Sequence, residues 1–92
     1  MPTILINAEA EDYDHWRNFF DEGEKLRTEH GVQSSRVFQG TDSPNEFAIL
    51  MECEDLEKMR ELAEHPDFIE ANEQARVDPD TSQTFLLQEV EE

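Results

Sequence analysis

Glu46-Phe47-Ala48-Ile49-Leu50-Met51-Glu52-Cys53 carries apolar side chains on both of its faces, and this decides how the chain folds. A strand sends successive side chains to opposite sides. An antiparallel strand with one wet face therefore alternates apolar and polar residues. Residues 47–51 do not alternate, so both sides of this strand need cover. Downstream, Asp55 is suited to cap a helix that holds Leu56, Met59, Leu62 and Ala63 at helical spacing. Pro66 pushes His65 out of helical geometry, which predicts a break. The same proline suits the first turn of a further segment carrying Phe68, Ile69, Ala71 and Ala75. Residues 77–83, with Pro79, read as a loop. Residues 84–90 read as a last strand, again apolar on both faces at Phe85-Leu86-Leu87.

Upstream, Thr41-Asp42-Ser43-Pro44-Asn45 is a turn cluster with hairpin chemistry. It predicts pairing with a strand over residues 32–40. There Val32, Ser34, Arg36 and Phe38 share one face, and Gln33, Ser35, Val37 and Gln39 the other. Gly31 stops a preceding helix. Asp12 caps that helix, with Asp14 in its first turn. Tyr13, Trp16, Phe19, Phe20, Gly23, Leu26 and His30 form its stripe, so one continuous helix of about 18 residues, ~27 Å long, is expected. Thr3-Ile4-Leu5-Ile6-Asn7-Ala8 is a first strand.

The order is strand, helix, strand, strand, helix, strand: an α+β, ferredoxin-like βαββαβ arrangement. It predicts a four-stranded antiparallel sheet with both helices on one face, as a single domain over residues 1–92. Ile4-Leu5-Ile6, residues 47–51 and Phe85-Leu86-Leu87 would leave the opposite face apolar too. A second copy packed sheet to sheet is the expected cover, because symmetric dimers are the commonest oligomers. The expected partner is therefore the chain itself, as a homodimer.

Composition describes the solvent. Asp and Glu number 24 against seven Lys and Arg, for a formal charge of −17. That field repels phosphate backbones and anionic membranes and loosens the compact chain by self-repulsion. It excludes nucleic acid as a partner, for want of a basic patch, and no membrane role is expected. At 1 M salt the Debye length falls to ~3 Å and the penalty fades. A carboxylate surface with two lysines reads as halophilic, built for a salty cytoplasm. Glu89, Glu91 and Glu92 read as a solvated end. Cys53 is the only cysteine, so no intrachain disulfide is possible. No run of acids has the spacing of a calcium loop, and no metal site is expected. No apolar run is long enough to span a bilayer, and the N-terminus lacks the features of a secretion signal. A cytoplasmic location is expected.

Asp12-Tyr13-Asp14-His15-Trp16 with Phe19-Phe20-Asp21, then His30-Gly31, Arg36-Val37-Phe38, Asp42-Ser43-Pro44-Asn45 and His65-Pro66-Asp67-Phe68, resembles the dimeric α/β-barrel superfamily. Within it, the chain is similar to the small proteins related to antibiotic-biosynthesis monooxygenase domains. The resemblance runs from Ile4 to Val90. It implies a ligand cleft between sheet and helices in each subunit, and chemistry that needs no cofactor. The ligand-binding residues it implies are Asn7, Tyr13, Trp16 and Phe68, with His65 and Arg36 as catalytic candidates.

Cofactor-independent oxygenation asks a protein to bind an electron-rich ring, deprotonate it and shield the carbanion. His65 has the pKa range of a base, and Arg36 could stabilise an oxyanion, aided by Tyr13 or Asn7. Each has a plainer reading. His65 before Pro66 is a natural cap residue; Tyr13, Trp16, Phe19 and Phe20 make a core stripe; Arg36 could pair with a carboxylate at the core edge. Haem-degrading relatives use Asn, Trp and His, but His65 lies outside a helix and Trp16 on the first helix, which argues against haem. Two functions follow: oxygenase-like chemistry or binding of a small apolar or aromatic ligand, and, as the alternative, a non-catalytic structural or stress-associated homodimer. The first expects a pocket reaching His65 and Arg36. The second expects that space to be filled by Trp16, Phe20 and Phe68.

Overall fold

The computed structural model describes residues 2–88 and Val90; the acidic residues Glu89, Glu91 and Glu92 lie outside that description. The elements are β1 (Pro2–Glu9), α1 (Tyr13–Glu22), α2 (Glu24–Glu29), β2 (Val32–Gln39), β3 (Glu46–Cys53), α3 (Leu56–Glu64), α4 (Pro66–Gln74) and β4 (Gln83–Gln88). The strands form one sheet in the order β2-β3-β1-β4, each neighbouring pair antiparallel. This is the α+β ferredoxin-like fold.

Capping follows the residues. Asp12 accepts hydrogen bonds from the backbone N–H groups of Asp14 and His15, and Asp55 accepts one from Lys58. Gly31 sits at φ 82°, left-handed backbone that favours glycine, and turns the chain from α2 into β2. The expected 18-residue helix is two helices instead. At Gly23 the backbone reaches φ −82° and ψ 1°, and its N–H is shared between Phe19 O and Phe20 O.

The core lies between the helices and one face of the sheet. Ile4 and Ala8 of β1 meet Phe47, Ile49, Met51 and Cys53 of β3 there, under Trp16, Met59 and Leu62. Val32 joins them, but Ser34, Arg36 and Phe38, expected to share its face, do not. Val32 pairs with Cys53 but Ser34 pairs with Glu52, so a bulge shifts the register between them. A bulge inserts an extra residue and re-aims its strand. Val32 is buried, while Ser34, Arg36 and Phe38 face the other way.

That other face carries no helix. Phe85, Leu5, Leu50 and Arg36 form one cross-strand row on it, and Gln83, Asn7, Ala48 and Phe38 the next. Phe38, Phe85 and Leu87 remain 43–46 % exposed. The Arg36 guanidinium lies 5.2 Å from the Phe38 ring centre. Among the described residues it makes no ion pair, so the expected carboxylate partner is replaced by an aromatic face.

Candidate functional site

β4 lies at the edge of the sheet and buries none of its residues. Alternation sends Thr84 and Leu86 to the helix side, opposite Ile6 and Ile4 of β1. No helix seals that side. α3 buries Met59 and Leu62 against the sheet, but the chain then leaves helical geometry at His65 (φ −65°, ψ 130°) before Pro66 starts α4. α4 buries no residue completely.

The gap that results is a cleft of about 260 Å³. Its walls are Ile4 and Ile6 from β1, Thr84 and Leu86 from β4, Met59, Leu62 and Ala63 from α3, and Phe68 from α4, with Arg60 at the rim. A second groove of about 350 Å³ adjoins it across Ala63 and Phe68, and brings in Ile69, Asn72 and Val77. Leu86 is 48 % exposed and Ile69 47 %. A thorough mixture of Ile, Leu, Met and Phe walls suits an apolar ligand. The hydroxyl of Thr84 and the guanidinium of Arg60 are the polar groups on the cleft wall.

The sequence candidates fall in different places. Phe68 lines the cleft. Trp16 is 3 % exposed and stacked on Phe47 and Phe20, so its indole fills core space. Tyr13 tilts against Trp16 with ring centres 5.6 Å apart, half-buried in the first turn of α1. Asn7 is exposed on the helix-free face between Ala48 and Gln83. Arg36 lies on that same face, whereas His65 lies between two helices on the opposite one. Among the described residues no cleft therefore joins the two, and the pocket expected to reach both is not formed.

His65 caps α4. Its Nδ1 accepts a hydrogen bond of 3.1 Å from the Asp67 N–H, and its ring packs edge-on to His30 at 5.2 Å. A neutral imidazole that accepts at Nδ1 carries its proton on Nε2, which leaves no free lone pair on the ring. His30 donates from Nδ1 to Leu26 O, and His15 from Nε2 to Gln74 O. All three rings tie helices together.

Arg60 and Thr84 were not singled out by sequence reasoning, and Ala63 and Leu86 were named only as apolar positions of a helix and a strand, not as cleft residues. The doubly apolar run Phe85-Leu86-Leu87 carried a signal for Leu86, because one of its two faces had to meet the helices. Among the described residues no three His, Cys, Asp or Glu side chains gather as a metal site. No described helix is long and apolar enough to cross a membrane.

No family model matches the chain, and no curated protein matches it in sequence. Solved structures match its shape over nearly its whole length. An antibiotic biosynthesis monooxygenase superposes with a TM-score of 0.79 at 18 % identity, covering 99 % of this chain and 100 % of that one. SnoaB, a cofactor-independent oxygenase from Streptomyces nogalater, gives 0.81 at 14 % identity over 99 % and 94 %. A dimeric ferredoxin-like protein of unknown function from a Jannaschia species gives 0.74 at 18 % identity over 95 % and 97 %. The fold is that of the antibiotic-biosynthesis-monooxygenase-like proteins. At these identities the likeness speaks for the fold alone.

Proposed function

We propose that the cleft between α3, α4 and the β1–β4 edge binds a small apolar or aromatic ligand, without a cofactor, in a sheet-to-sheet homodimer that works in high salt. The observation that carries this reading is an apolar cleft of about 260 Å³ on a strand that no helix covers. An apolar cavity of about 150 Å³ already admits a benzene ring, so one substituted ring or two fused rings fit. Removing ~150 Å² of ring from water at ~25 cal/mol per Å² contributes about 4 kcal/mol. That corresponds to roughly millimolar affinity, and an anionic oxygen held by Arg60 would tighten it. The neighbouring folds that are oxygenases or dimers support the two halves of the reading by analogy.

The test is a titration with 1-naphthol, read by the methyl resonances of Ile6, Met59 and Leu86. Saturable shifts are expected, and they should vanish in Ala63→Phe, which fills the cleft from an exposed helix position. Unmoved methyls across single-ring and fused-ring phenols, or unchanged binding in A63F, would overturn the reading.

Arg60 favours a second, narrower reading in which the bound ring reacts with oxygen. Thr84 and Arg60 offer no base, so the substrate would have to enter already ionised, as an acidic quinol does, with Arg60 facing its oxygen. Oxygen uptake with such quinols, reduced more than tenfold in Arg60→Gln, is expected. Binding without uptake across that panel leaves the protein as a binder.

A further inference from the structure

Arg27 is the one charged side chain among the described residues that is buried, at 8 % exposure, in a molecule crowded with carboxylates. Among the described residues no carboxylate comes within ion-pair distance of it. Its guanidinium lies 3.7 Å from the Phe20 ring centre, and Nη1 donates a 2.6 Å hydrogen bond to Phe20 O. Gly23 makes that placement possible: a Cβ there would stand 3.2 Å from Nη1. Packing has thus fixed the group's plane and one of its nitrogens.

The other edge is open. Among the described residues Nε and Nη2 have no protein acceptor, yet neither is sealed from solvent. Arg27 also lines a polar pocket of about 260 Å³ between α1, α2 and β2, walled by Gln33, Ser34 and Ser35. Arg17, Asp21 and Glu24 stand on the same wall, and Arg17 is already bound to Asp21 at 3.1 Å. The two arginines cancel the two carboxylates, so the pocket is locally neutral on a chain of charge −17.

We infer that this pocket is a binding site for a small monocarboxylate, held bidentate by the free edge of Arg27 with Ser35 and Gln33 donating from β2. A guanidinium fork matches the two oxygens of a carboxylate. Single charge is favoured because the locally neutral pocket has no surplus positive charge for a second one, and the general field of the chain repels dianions more strongly. High salt shortens that field to ~3 Å at 1 M and leaves the contact donors to decide. Burial pushes the guanidinium below its ordinary value, opposed by Glu24 and then Asp21; a bound anion would relieve that desolvation. The site is separate from the cleft at β4, and neither reading depends on the other.

The experiment follows the side-chain Nε–H resonance of Arg27 in the whole chain while acetate or benzoate replaces chloride at constant ionic strength. A saturable shift is expected. It should be abolished in Ser35→Glu, which offers a tethered carboxylate from an exposed edge position; in Arg27→Met, which keeps the stem on Phe20, the acetate-induced shifts of the Gln33 and Ser35 backbone amides on the pocket wall should be lost. Ser35→Ala should bind more weakly by roughly tenfold or more, the worth of one hydrogen bond to a charged acceptor. If R27M does not fold, S35E decides alone. A linear, unsaturated response overturns the inference, as does full acetate binding in S35E. A shift that grows with protein concentration in the absence of added acid also overturns it, in favour of a carboxylate from a second copy.

Discussion

Trp16 and Phe47 stack across the boundary between α1 and the sheet, ring centres 3.8 Å apart and planes 19° from parallel. Phe20 lies on the indole as well, at 5.3 Å. This stack anchors the N-terminal half of the helical layer to β3. Trp16→Ala should cost about 3–5 kcal/mol, a large part of the ~5–15 kcal/mol that holds a small domain together. Urea unfolding followed by circular dichroism would measure it. A loss under about 1 kcal/mol would mean that the neighbours close the gap and the stack is dispensable.

The row Phe85, Leu5, Leu50 and Arg36 crosses the helix-free face through all four strands. An apolar band of that kind marks an interaction surface. Leu5→Glu places a carboxylate between Leu50 and Phe85, away from Arg36, and burying it unpaired is costly. Sedimentation should show the native chain at twice its monomer mass and L5E at the monomer mass, with the helical signal retained. A native monomer at ~100 μM would sink the proposed dimer.

Much of the fold was legible because short-range rules and long-range packing agree in this chain. Asp12, Asp55, Gly31 and Pro66 act where their local chemistry puts them. The doubly apolar β3 also reads directly as a central strand. The misses have a common cause in tertiary detail. Gly23 breaks the first helix at the point where Arg27 takes Phe20 O, a contact across seven residues that periodicity cannot reveal. The bulge after Val32 turned Arg36 away from the core, so alternation counted from Val32 put it on the wrong side. The cleft joins Ile4 to Leu86, nearly the whole chain apart, through a strand pairing that no local pattern encodes.

Cys53 is fully buried at the end of β3. Burial pushes its thiol up, and Asp55 pushes it further in the same direction. A group whose folded pKa is raised binds its proton more tightly in the native state. Its stabilising contribution is present below the unfolded thiol pKa of about 8.5 and is lost as pH rises above it. Unfolding midpoints should therefore fall more steeply above that pH in the native chain than in Cys53→Ala. Labelling by a thiol reagent at pH 8 should be slow until urea is added. Prompt labelling of the folded protein would show that the thiol is not held in the core.

The charge imbalance gives the prediction on which the salt reading rests. Arg17–Asp21, Lys58–Glu54 and Arg76–Glu11 are the Arg and Lys ion pairs among the described residues, and each is exposed. Exposed pairs contribute ~0–1 kcal/mol, so they cannot offset the repulsion within a −17 chain. On the salt reading, dissolved cations do so. Raising KCl from 0.1 M to 1 M shortens the Debye length from ~10 Å to ~3 Å and should remove most repulsion between neighbouring carboxylates. A gain of about 2 kcal/mol would lift the melting temperature by roughly 8–16 °C for a domain of this size. Reversing Glu57, Glu61, Glu64 and Glu73, all exposed on α3 and α4, to Lys should flatten the salt dependence without touching the core. A native chain whose melting temperature is highest in dilute buffer would show that its surface was not made for brine.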